Sequence, residues 1–424
     1  MSEVPRPPRL TLTRAERCAL TDLLVELVAS GTRAGRGAGI LAATDRPAPA
    51  DDPAGGATPP VCRPPGRDED RLWSALPVLA EGHGVAALVA PRLAPHAPDA
   101  AARALVDAAA RTLARGQRMT EDAAQVAAAL QAAAVPFAWI KGAWLAPRCY
   151  DPPAARPLAD LDLLVPPPAD ARAVRVLADL GYREIRRTWK HRAYLRPGNT
   201  AVVDYRGEHP ANPRPIEVHA WLGEAFRGVT LNLSRSWQPA LPAAELPPVV
   251  GMAHVAAHAG VDALERRARL VQWVDLARLA AELDAADWDG LAGLIGTPHA
   301  ARFAWPALAL ARRTVGLAIP PDVAALIEAM VDPPLRAWVA GADLDAVSPF
   351  GRGDAARRLG EVPAMWPRTA AERRAVWRFI LAPGRWQLAD RYPRLARSPA
   401  WPLMYARHLA YSVRRLAERW RQRR

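Results

Sequence analysis

Apolar residues recur three and four positions apart through "DRLWSALPVLAEGHGVAALVAPRL" and "DAAARALVDAAARTLARGQRMTEDAAQVAAALQAAAV". With alanine as the main helix former, this predicts helices across residues 70–134. The period then changes. From residue 135 to about 222, short or alternating apolar runs are separated by Pro and Gly: "VPFAWI", "LADLDLLV", "YREIRR", "AYLR", "TAVVDYR" and "RPIEVHAWL" predict strands. "PADARAVRVLADLG" predicts a helix between two of them, closed by Gly181. From about Pro247 the helical period returns in "PPVVGMAHVAAHAG", "ERRARLVQWVDLARLAAEL", "DWDGLAGLIG", "AARFAWPALALARRTVG" and the closing "WPLMYARHLAYSVRRLAERWRQRR". No fixed period repeats, so a solenoid is not expected.

The 424 residues exceed what one core usually serves. The pattern divides them into a variable extension (1–69), a helical segment (70–134), an α/β unit (135–246) and a helical C-terminal domain (247–424). The extension starts with the helix-compatible "TRAERCALTDLLVELVAS" and runs into Pro, Gly and Ala with almost no large apolar residues, a linker composition. No apolar run is long enough to span a bilayer, and the first ten residues lack the apolar core of a signal peptide, so a soluble cytoplasmic protein is expected. Cys18, Cys62 and Cys149 are too scattered for a metal or disulfide framework. Cys149 reads as a buried filler. The net charge of +13 favours polyanionic partners without choosing among nucleotide, nucleic acid and membrane. Of 56 basic residues only Lys141 and Lys190 are lysines, so a Lys beside Gly142 suggests a need for a compact ammonium.

"LADLDLLV" carries the first candidate chemistry. Strand side chains alternate faces, so Asp160 and Asp162 share one face while Leu161, Leu163 and Val165 take the other. Two carboxylates so placed repel unless a cation neutralises them, and Mg²⁺ or Mn²⁺ suits oxygen ligands of this kind. In "RPIEVHAWL" the same alternation sets Glu217 and His219 opposite Ile216 and Val218. If the two strands are neighbours, Asp160, Asp162 and Glu217 converge as metal ligands. A two-metal site for phosphoryl or nucleotidyl transfer, with ions about 3.5–4 Å apart, needs such a triad. "WIKG" adds Lys141 and Gly142, where the backbone and a helix N-terminus can approach phosphates, with Arg156 as further positive charge.

The order "IKGAW", "RPLADLDLLV", "LGYRE", "KHRAYL", "IEVHAWL" resembles the uncharacterised nucleotidyltransferase family of the polymerase-β superfamily. The likeness extends through "AHVAAHAG", "RLVQWVDLARL", "DWDGL" and "RWQLADRYPRLARSPAWPLMYARHL", from about residue 70 to 424. It implies an α+β fold, a polymerase-β-like mixed sheet flanked by helices. It implies transfer of a nucleoside monophosphate from an NTP, with Asp160, Asp162 and Glu217 as catalytic metal ligands. The superfamily commonly has Gly-Ser or Gly-Gly where this chain has Gly142-Ala143, so no hydroxyl is offered there to a phosphate. Related families include toxins that modify tRNA, and similar proteins accompany ribosomally made peptides such as lasso peptides. The acceptor is thus open among peptide, small molecule and RNA.

Other candidates have simpler readings. His219 shares the face of Glu217 and is a candidate for nucleotide contact; His191, also within the pattern, reads first as a structural hydrogen-bonding residue. His254 and His258 lie four apart on one helix face with no third ligand evident, which favours packing. Trp273, Trp288, Trp338 and Trp377 read as core, and Trp144 and Trp221 as pocket lining. The basic C-terminal helix reads as packed by its Leu and Tyr face, with membrane surface, RNA or a leader peptide as the other partners. A non-catalytic nucleotide-binding protein and a phosphoryl transferase are the alternatives to nucleotidyl transfer.

Overall fold

In the computed structural model the predicted change of period becomes a change of packing layer. It describes residues 12–33, 69–188, 190–203, 209–241, 243–351, 362, 366–396 and 398–422; the expected linker over residues 34–68 lies outside them. Helix α1 (Arg14–Arg33) buries Leu20, Leu24 and Val28 at four-residue spacing. α2 (Glu69–Gly82), α3 (Ala86–Leu93) and the 34-residue α4 (Asp99–Ala132) follow.

Strands β1 (Ala138–Trp139), β2 (Leu161–Leu164), β3 (Arg183–Arg187), β4 (His191–Leu195) and β5 (Ile216–His219) form one mixed sheet in the order β1-β2-β5-β4-β3. Helix α5 (Lys141–Cys149) joins β1 to β2, and α6 (Asp170–Asp179) joins β2 to β3. Gly181 follows α6 at φ 83°, the left-handed residue its cap requires. β2 pairs parallel with β5, and β5 antiparallel with β4. Both central strands are buried throughout, whereas β3, on the edge, is exposed and rich in arginine. Charged edge strands discourage pairing with other chains.

The expected strand in "TAVVDYR" does not form over residues 200–203, and residues 204–206 lie outside the described chain. A hairpin not anticipated from the pattern follows β5: β6 (Gly223–Phe226) pairs with β7 (Val229–Asn232). Its two-residue turn, Arg227 (φ 50°) and Gly228 (φ 81°), has the positive φ values that match strand twist.

The rest is helical: α7 (Pro248–Leu264), α8 (Leu270–Ala280), α9 (Ala285–Ile295), α10 (Pro298–Val315), α11 (Pro321–Ala329), α12 (Pro333–Gly341), α13 (Leu344–Val347), α14 (Ala370–Leu381), α15 (Arg385–Arg391), α16 (Pro393–Ala396) and α17 (Leu403–Gln422). One core unites the helices before the sheet with those after it, through Leu20, Leu76, Leu105, Met252, Trp273 and Phe303 among others. A second core lies under the sheet, where Leu161, Leu163, Ile216 and Val218 meet Met119, Val126 and Leu130 of α4 and Leu177 of α6. α4 therefore gives its first half to one core and its second half to the other.

Arg115 sits at that crossover with only 2% of its surface exposed. Its guanidinium donates to the carbonyls of Leu158 and Ala159 ahead of β2, and to those of His209, Asn212 and Pro213 ahead of β5. One buried cation thus ties together the approaches to the two central strands. Next to it Gly116 is needed for close packing, since a Cβ there would come within 2.5 Å of the Ala154 carbonyl oxygen.

Several side chains depart from their expected places. Trp273, Trp288 and Trp338 are buried, but Trp377 is 52% exposed. Trp144 is a core residue and not a pocket wall, with its ring over Gly251, where a Cβ would approach it to 2.2 Å. α17 docks through Met404, His408 and Ser412, and leaves Leu409 and Val413 exposed. The polar docking stripe is fixed by His408, whose Nε2 meets the Ile380 carbonyl at 2.8 Å. No helix among the described residues is long and apolar enough to cross a membrane.

Candidate active site

The sheet face opposite the second core carries the polar residues. Asp162 and Glu217 are direct register partners across the parallel β2 and β5, and His219 opposes His191 across β5 and β4. Asp160, partly exposed, precedes β2 by one residue. Alternation in two strands and a parallel register therefore bring Asp160, Asp162, Glu217 and His219 onto one face.

Lys141 closes this face from above. The Ile140 amide bonds the Asp162 carbonyl at 3.1 Å, extending the strand pairing up to the point where the chain turns into α5. Lys141 then takes φ 50°, a left-handed conformation that a residue with a Cβ adopts at some cost, and its Nζ lies 2.7 Å from Asp162 Oδ1. No side-chain hydrogen bond caps the start of α5 beside this ion pair. Gly142 follows, where a Cβ would meet Arg156 Nη1 at 2.3 Å and Leu158 Cδ2 at 2.6 Å.

Asp162 Oδ1 also meets His219 Nε2 at 2.7 Å. His191 Nε2 is 3.2 Å from Glu217 Oε1, and Arg186 Nη2 reaches the same oxygen at 3.6 Å from the edge strand. The electrostatics follow from crowding and burial. Burial, reinforced by Asp160 and Asp162, pushes Glu217 up to about 8. Burial and the neighbouring Asp162 push Asp160 up to about 6. Asp162 behaves oppositely: burial disfavours its charge, but Lys141 and the His219 hydrogen bond hold its carboxyl well below the usual range. Burial and the Lys141 charge lower His219 to about 4, while burial and His219 lower His191 to about 3, so both imidazoles are neutral near pH 7.

Such a face is short of positive charge. Three crowded carboxylates share one buried lysine, with Arg186 at the rim of Glu217, and this donor set fits a hard divalent cation held by oxygen.

Arg156 sits beside this face, with its Nη1 against Gly142 and its charge felt by Asp160. Its guanidinium forks onto Asp275 of α8, with Nη2 to Oδ2 at 2.7 Å and Nε to Oδ1 at 3.0 Å, and Tyr150 Oη donates to the same Oδ1 at 2.6 Å. Asp275 is 1% exposed, so this arginine neutralises a buried carboxylate and fastens the loop before β2 to α8. The expected charge of Arg156 against a triphosphate would act from this paired position. Cys149 is partly buried against Glu282, and burial together with that carboxylate raises its thiol far above the ordinary range, which makes it inert.

The pattern did not disclose the neighbouring cluster on β6. Glu224, 4% exposed, receives Lys190 Nζ at 2.7 Å on each oxygen and lies 3.0 Å from His258 Nδ1 and 3.7 Å from His254 Nε2. The helical histidine pair thus has an acidic partner 30 or more residues earlier in the chain. The field of Glu224 is felt by Lys141, and that of His258 by Asp160, so the two clusters form one electrostatic unit. The scarcity of lysine was the available signal, since Lys190 is the only lysine besides Lys141.

No curated protein and no solved structure matches the chain. A family model described as an uncharacterised nucleotidyltransferase matches residues 69–316, from α2 to the end of α10, a span that contains both clusters. With more than half of its length so matched, the chain belongs to the uncharacterised nucleotidyltransferase family.

Proposed function

We propose that this nucleotidyltransferase moves a nucleoside monophosphate from an NTP to a hydroxyl group, with a divalent ion held by Asp160, Asp162 and Glu217. The observation that carries the reading is the parallel register of Asp162 and Glu217, with Asp160 two residues earlier on the same face. When bound, Mg²⁺ or Mn²⁺ would neutralise these carboxylates and polarise the phosphoryl oxygens. The chain's own groups supply the rest. Lys141 and the uncapped start of α5 face the phosphates, His219 orients Asp162, and Arg186 stands at the rim of Glu217.

The acceptor oxygen attacks the α-phosphorus, the bond to the bridging oxygen of the β-phosphate breaks, and pyrophosphate leaves. Glu217, kept ionised while it ligates the ion, would receive the acceptor's proton. The acceptor is a ribosomally made peptide, a small molecule or an RNA.

The test incubates the protein with α- and γ-labelled NTPs, Mg²⁺ or Mn²⁺ and a cell extract, and identifies the labelled product by mass. The expected result is transfer of the α label alone, reduced by roughly 1,000-fold in Asp160→Asn or Asp162→Asn with circular dichroism unchanged. Transfer of the γ label, or full activity in the double variant, would overturn the reading.

A further inference from the structure

We propose that His191, Glu217 and His219 form a distinct metal position on the catalytic face, one that takes a transition ion such as Zn²⁺ or Co²⁺ in preference to Mg²⁺. It rests on the reading above only in sharing Glu217. The three donors arise from two strands in one register: His191 lies directly opposite His219 across β4 and β5, and Glu217 is two residues before His219 on the same face. Their ligand atoms all fall within 4.8 Å of one another, with His191 Nε2 to Glu217 Oε1 at 3.2 Å and His219 Nε2 to Glu217 Oε2 at 4.0 Å.

The protein leaves this position in need of a ligand. Both ring nitrogens of His191 are buried without a hydrogen-bond partner, despite the nearness of Glu217. Ligation through Nε2 would satisfy one of these two nitrogens. His219 Nε2 lies 2.7 Å from Asp162 Oδ1, so ligation through that nitrogen exchanges this contact for the ion and leaves Asp162 with Lys141 as its partner.

Ligand chemistry separates this position from the aspartates. Two imidazoles and one carboxylate suit borderline transition ions and leave open coordination sites, whereas Asp160 and Asp162 offer oxygen alone, as Mg²⁺ prefers. The face thus presents a hard end on β2 and a softer end between β4 and β5.

The test titrates metal-free, full-length protein with Co²⁺ in a large excess of Mg²⁺. The expected result is one equivalent bound, visible ligand-field bands, displacement by Zn²⁺ and not by Mg²⁺, and roughly tenfold or greater weakening in His191→Ala and His191→Gln. Cobalt-edge absorption on the wild-type protein should count two imidazoles, a readout independent of how the variants fold. No bands, displacement by Mg²⁺, wild-type affinity in folded His191 variants, or fewer than two imidazoles would each overturn the proposal. The reading above fails separately: loss of α-label transfer with cobalt binding intact would sink nucleotidyl transfer and leave this site standing.

Discussion

Both lysines of this arginine-rich chain end on buried carboxylates, Lys141 on Asp162 and Lys190 on Glu224, and the two pairs share one field. An ammonium is a compact point charge, and between crowded carboxylates it fits where a planar guanidinium would need a wider fork. The sequence pointed to Lys141 through that scarcity and to the carboxylates through alternation. It did not reveal Glu224, because the contacts that define Glu224 come from the loop before β4 and from α7, far away along the chain. A different residue makes stability depend on pH. His83 is 1% exposed and accepts from the Leu270 amide, and burial, aided by Arg269, lowers it to about 3. Its unfolded value is near 6.5, so the unfolded chain binds the extra proton first as pH falls. The stability is whole above pH 6.5 and drains away towards pH 3, by about 2 kcal/mol for this residue at pH 5. Urea midpoints at pH 7 and 5 should show His83→Asn, which keeps an acceptor, losing less than the wild type by that amount; equal losses would refute the assignment.

At the level of elements, β2 and β5 were readable because each alternates between core and site, and the helices because their apolar periods are long. The hairpin β6–β7 escaped notice: "GEAFRGVTLN" is short and follows the last alternating run without a strong break. Strand adjacency was also beyond the sequence, since nothing local says that residue 162 faces residue 217. Part of the answer is Arg115, which reads as one more charge on a helix until its five carbonyl partners are seen. Those partners hold the approaches to both strands, so the arginine sets the spacing of the carboxylates without touching them. Arg115→Met should lower the unfolding free energy by about 3 kcal/mol or more, measured by chemical denaturation, because several buried carbonyls lose their donor at once. Arg115→Lys should recover little of it, a compact ammonium being unable to span both loops. Full recovery by lysine would show that charge alone matters.

On the scale of the whole molecule, division by sequence into successive segments meets a fold in which helices from both ends share one core. The sheet sits against that body with its own core, and a chain of this size would ordinarily be expected to melt in stages. α4 argues otherwise. Its 34 residues make a rod about 50 Å long that belongs to both cores, so neither half can lose its packing while the other keeps a whole helix. Calorimetry of the full chain should give a single endotherm with equal calorimetric and van't Hoff enthalpies. Ala114→Pro, exposed and between the two halves, should split it in two by breaking the helix at a cost of about 3 kcal/mol and removing no core side chain. Two transitions in the unaltered protein would show that the rod does not couple the halves. If it does, a ligand gripped at the sheet face raises the melting temperature of helices that never touch it, and heat tolerance becomes a reporter of site occupancy.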